Sequence, residues 1–186
     1  MVLAVKVNAS ISAWDTIRFV RLANGVQDRF RFSGEEGNEQ AVSVRITETP
    51  SDDLFGADRH GGVTISAWQS DGICHYLGIQ RESYFVVASM LGLTHWITLV
   101  RHPMLIAEDL IHESPGRCIF AKARTIQDYC LLLESPHVCN DCLDFYRCLG
   151  AELEIEALLR ALRRLGRAQQ PGMVPTCTEA LPRTLF

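Results

Sequence analysis

Three segments decide the fold: residues 41–47 (AVSVRIT), residues 62–68 (GVTISAW) and residues 84–100 (YFVVASMLGLTHWITLV). The first two alternate β-branched and polar residues, the period of a half-buried strand. The third is apolar nearly all round, which places it as a helix at the centre of the fold and not as an amphipathic helix on its surface. Ser89, Thr94 and His95 interrupt it, and no run of 18 apolar residues exists, so it reads as a buried helix and not a membrane span. Pro103 is expected to end or kink it.

Working outward, Leu3 to Val7 alternates like a short strand. Ser12 is placed to cap a helix over residues 13–23, with Trp14, Ile17, Phe19 and Val20 on its inner face and Asn24-Gly25 as its stop. Phe30 and Phe32 alternate with arginines as a strand would. Residues 34–40 (GEEGNEQ) and 50–60 (PSDDLFGADRH) read as loops. Beyond Pro103 the pattern predicts a short helix at 104–111 and an amphipathic one at 125–134, with Ile126, Tyr129, Leu132 and Leu133 inward. A long helix at 143–165 is striped by Leu149, Leu153, Ile155, Leu158, Leu159 and Leu162, with Gly166 as its cap. From residue 169 periodicity is lost, and an extended or mobile tail is expected over 169–186. The expected class is α+β: a small mixed sheet with packed helices, in one domain over residues 1–168.

The 186 residues are 47% hydrophobic and 22% charged, an ordinary globular balance that excludes a disordered chain. A net charge of -4 gives no broad basic excess, so neither a nucleic acid nor a membrane surface is called for as partner. The one basic stretch, residues 160–167 (RALRRLGR), reads as a solvated helix face. The N-terminal apolar run is too short for a signal peptide, so a cytoplasmic location is expected. Seven cysteines, an odd number, then favour metal binding over disulfides.

The chemistry-bearing stretch is residues 112–142: HESPGRC, a spacer, then CNDC, or H-x5-C-x20-C-x2-C. Two cysteines separated by two residues can aim both sulfurs at one ion, and zinc needs two more ligands to close a tetrahedron. His112 and Cys118, with Pro115-Gly116 as a turn between them, are the natural pair. The expected centre is therefore one structural Zn2+ held by His112, Cys118, Cys139 and Cys142. The bland alternative treats the cysteines as small buried hydrophobes and His112 as a surface residue. Cys148 or Cys130 could replace one ligand, Cys74 and Cys177 look incidental, and His137 reads as a loop residue or as a donor to a cysteine sulfur.

On these residues the chain resembles the zinc segment of archaemetzincins, zincin-fold metallopeptidases in which an HExxHxxGxxH helix holds catalytic zinc. In that family a Cys after the last His, with further cysteines ending in CxxC, holds a second, structural zinc. It is also similar to a group of uncharacterised bacterial proteins with an H…RGC…CxxC pattern. The likeness spans roughly residues 41–149 and includes the order strand, DDLF loop, strand, long apolar helix. Where the family has HExxHxxGxxH, residues 102–112 read HPMLIAEDLIH: His102 and His112 keep the outer positions, Pro103 replaces the glutamate and Ile106 the middle histidine. The family's Cys after the last His is Glu113 here, so His112 is inferred to complete the structural site. The resemblance implies a zincin-like scaffold without peptidase chemistry, a pseudoenzyme acting through a protein partner.

Two enzymatic readings compete. A zinc deaminase needs H-x-E followed by P-C-x-x-C; here Ser114 stands where the glutamate should, and Pro136 is not adjacent to Cys139. A divergent hydrolase would use Glu113 as base, but four good ligands leave no coordination position for water. A cysteine nucleophile is neither supported nor excluded by the spacing of Cys and His.

Overall fold

Strand alternation builds the sheet. Its strands are β1 (Leu3–Ala9), β2 (Phe30–Ser33), β3 (Val42–Thr47), β4 (Gly56–Asp58) and β5 (Gly62–Ser66), in the order β2-β1-β3-β5-β4. β4 runs antiparallel to β5, and every other pairing is parallel. The computed structural model describes residues 2–34, 41–51, 53–68, 70–77, 80–101, 118–122 and 136–168. The expected loop at 35–40, the helices at 104–111 and 125–134, the kink at Pro103 and the 169–186 tail lie outside the described residues.

Register gathers the apolar residues into rows: Phe32 beside Val5 beside Val42, Val7 beside Val44 beside Val63, and Ile46 beside Ile65. All of these are buried. The alternate positions carry Lys6, Arg31, Arg45 and Thr64, so one face of the sheet is apolar and the other polar. Helices α1 (Ala13–Val26), α3 (Arg81–Arg101) and α6 (Glu152–Ala168) pack on one another, and α1 and α3 also pack on the sheet. Between them lie α2 (Ser70–Leu77), α4 (Ile119–Lys122) and α5 (Asn140–Cys148). α3 is long and apolar enough to cross a membrane, yet 78% of its most apolar window is buried inside this fold, which accounts for its composition. Gly92 lets α3 lie close to the sheet, since a Cβ there would run into the Val63 side chain.

The free border of β2 is closed by side chains. Asn24 donates to the Phe32 carbonyl and accepts from its N–H, and Gln27 does the same for Phe30. Two carboxamides thus stand where a further strand would.

Several expectations are corrected. α1 is capped by Ser12 as expected, but it runs through Asn24-Gly25 to Val26. Of its expected inner face, Phe19 is buried with Ala23 and Val26 and Val20 packs against the core, whereas Trp14 and Ile17 are 67% and 59% exposed. The 50–60 stretch contains β4, and α2 follows β5 where no helix was expected. The helix over 143–165 is two helices, broken at Gly150. Gly150 has φ +66°; its N–H bonds to the Arg147 carbonyl and the Ala151 N–H to the Tyr146 carbonyl. Those two bonds form the reversal that ends helices on a left-handed glycine. Arg101, at the end of α3, donates to the Leu149 and Gly150 carbonyls and holds the break in place.

Candidate metal centre

Cys139 is the N-cap of α5 and Cys142 lies in its first turn, so a helical turn, not a loose one, brings their sulfurs to one side. Cys118 immediately precedes α4. The Ile119 N–H bonds to the His137 carbonyl at 2.8 Å, which ties the start of α4 to the segment leading into α5. As a result the ligand atoms of Cys118, Cys139 and Cys142 all lie within 4.8 Å of one another, and all three residues are buried.

The spacing distinguishes the possible roles of these sulfurs. Cys118 Sγ and Cys142 Sγ are 3.7 Å apart. A disulfide requires about 2.05 Å. Zinc–sulfur bonds of about 2.3 Å at tetrahedral angles place the sulfurs about 3.8 Å apart. The Cys118–Cys142 pair therefore has the edge length of a metal–thiolate tetrahedron, and the trio's donor set of soft sulfurs suits zinc-type ions.

Electrostatics point the same way. Cys118 and Cys142 share a thiol hydrogen bond, and the backbone N–H groups of Cys139 and Phe120 also bond to Cys118; together they hold Cys118 well below the ordinary thiol range despite burial. Cys142 is pushed up by the same hydrogen bond, by burial and by the charge on Cys118. A charge on Cys118 thus opposes a second one on Cys142, an opposition that a cation among the sulfurs would relieve.

Two aromatic residues neighbour the trio: the Phe120 backbone N–H bonds Cys118, and Tyr146 feels the charges of Cys142 and Cys118. Phe120 and Tyr146 stack with centroids 4.7 Å apart, and the Tyr146 hydroxyl bonds Thr98 on α3. Burial is what raises Tyr146 above the usual phenol range. The centre therefore joins the start of α4 to α5 directly, and reaches the central helix through Tyr146. Neither Phe120 nor Tyr146 was singled out from the sequence, because ordinary core aromatics carry the same pattern.

The other expected residues are distributed as follows. His112, proposed as the fourth ligand, lies outside the described residues, as do His102, Pro103, Ile106, Glu113, Ser114, Cys130 and Cys177. Cys148 is exposed on α5 and is not part of the trio. Cys74 is buried on α2, where burial pushes its thiol up to about 12. His137 is exposed and contributes its carbonyl.

Comparison with protein-family models, with curated proteins and with solved structures finds no match.

Proposed function

We propose that the chain is a non-catalytic, zinc-stapled module of metzincin-like build that works by contacting another protein. The observation that carries this is the buried Cys118–Cys139–Cys142 trio, its sulfurs all within 4.8 Å of one another and the Cys118–Cys142 pair at the 3.7 Å edge of a thiolate tetrahedron. His112 is the fourth ligand in this reading, closing a His/Cys3 site with no position left for water.

The metzincin-like part is supported by the order β3, loop with β4, β5 and long apolar α3, the order on which the resemblance rests apart from the short α2 inserted before α3. The HExxHxxGxxH pattern laid along α3 is met at only two of its five defining positions. Gly92 and His95 match its last two positions, while Phe85, Val86 and Ser89 stand at the first His, the Glu and the second His. Trp96 then takes the place of the following Cys. Phe85, Val86 and Ser89 are buried, and none is a metal ligand or a general base of the required kind. Residues 102–112 lack the glutamate and the middle histidine as well, so neither register supplies three ligands and a base.

X-ray absorption on protein purified without added metal tests the proposal. The expected result is one zinc per chain, bound by three sulfurs and one nitrogen, with no hydrolysis of peptide substrates. A coordinated water, or a second zinc, would favour a hydrolase using Glu113. Protein free of metal would end the zinc reading.

A further inference from the structure

The outer side of α1 is not an ordinary solvated face. At 100° per residue, Trp14, Ile17, Arg18, Arg21 and Gly25 fall within an arc of about 100° on the side away from Phe19, Ala23 and Val26. Tryptophan is highly buried on average, and with tyrosine and arginine it is enriched among the residues that dominate protein contacts. The arc opens onto a cleft of about 460 Å³ between α1 and the start of α3, lined by Arg18, Arg21, Gly25 and Glu82 among others.

The charges in the cleft define what fits it. Glu82 is its one carboxylate, buried to 7% side-chain exposure and held by Arg18 at 2.8 Å. Arg21 is exposed and has no ion pair among the described residues. Arg18 is paired with Glu82 and Asp15 is bonded to its own N-cap Ser12, so among the described residues the surface offers one exposed arginine without an ion pair, Arg21, beside two large apolar side chains. Gly25 is the second unusual element: it lies inside the helix, and an added Cβ would meet nothing within 4 Å. No neighbour requires a glycine there, yet its missing side chain keeps the cleft open.

We propose that this face is the docking site for an acidic segment of a partner protein, with an aliphatic or aromatic residue seated on Trp14 and Ile17 and a carboxylate paired with Arg21. This rests on the reading of the chain as a protein-contact module, and it supplies the surface for that reading. The test is selection of a phage-displayed random 16-residue peptide library on the zinc-loaded protein, followed by titration of the enriched synthetic peptides. Enriched peptides are expected to carry Asp or Glu within a few residues of a large apolar side chain. Trp14→Ala, Arg21→Glu and Gly25→Leu should each weaken binding at least tenfold, and changing the peptide's acid to Lys should restore binding to Arg21→Glu. The proposal is overturned by no enrichment, by peptides indifferent to the three variants, or by sedimentation showing that a second copy of the chain occupies Trp14. Zinc content measured on the same samples keeps the two readings apart: lost peptide binding with zinc retained concerns this face alone, whereas absent zinc concerns the metal centre.

Discussion

Replacing Cys142 by Ser removes one sulfur from a fully buried trio and leaves a smaller hydroxyl in its place. Structural zinc sites in small fingers bind with about 10–16 kcal/mol, so one of four ligands accounts for about 3–4 kcal/mol, or about 10²–10³ in affinity. Zinc at about 1,000 times its dissociation constant stabilises the wild type by about 4 kcal/mol. Removing it with a chelator should lower Tm by about 8–16 °C for a domain of this size. In Cys142→Ser at the same free zinc, the residual stabilisation is about 0.4–1.4 kcal/mol, and the chelator should shift Tm by about 1–6 °C. Differential scanning fluorimetry of both proteins, with and without chelator, measures all four corners of the cycle. Cys74→Ser is the control, because it also places a hydroxyl at a buried thiol position but lies outside the trio. It should lower Tm while leaving the chelator shift intact. Equal chelator shifts in wild type and Cys142→Ser, or no shift in either, would refute the reasoning.

Gly92→Ala should destabilise by about 1–3 kcal/mol, read from urea melts, because the added methyl meets Val63 across the helix–sheet contact. Gly150→Ala should cost about 1–2 kcal/mol through its left-handed backbone, with hydrogen exchange rising at the break between α5 and α6. His95 is held below its ordinary 6.5 by desolvation, with its ring 6.0 Å from that of Phe55. Its contribution is therefore fully present above pH 6.5 and is lost as pH falls toward the depressed folded value, because the unfolded chain takes up the proton first. Stability measured from pH 8 down to 5 should fall less in His95→Phe than in the wild type.

The strands at residues 42–47 and 62–66 were legible because burial on one face leaves a period of two in the sequence. β4 left no such trace: Gly56–Asp58 is set by its register against β5, not by its own side chains. On α1, Phe19 and Val20 pack inward as expected, but Trp14 and Ile17 do not, because the helix bears two apolar stripes and spacing alone does not tell a core stripe from a surface one. Leu149 and Leu153 continue one hydrophobic rhythm across Gly150, so the break is visible only as a glycine in the left-handed region. At the centre, CxxC was legible as a pair, and the helical turn that aims it was not. Helical geometry also explains the position of Cys148. Six residues beyond Cys142, it is rotated by about 240° around α5, so its sulfur points to solvent.

The carboxamides of Asn24 and Gln27 have a consequence for how this molecule behaves when concentrated. An open strand border is a template on which like chains stack, and here its outward amides and carbonyls at Phe30 and Phe32 are already occupied from within. Growth of fibrils from that margin would first have to displace both residues, which makes positions 24 and 27 the guards of colloidal stability.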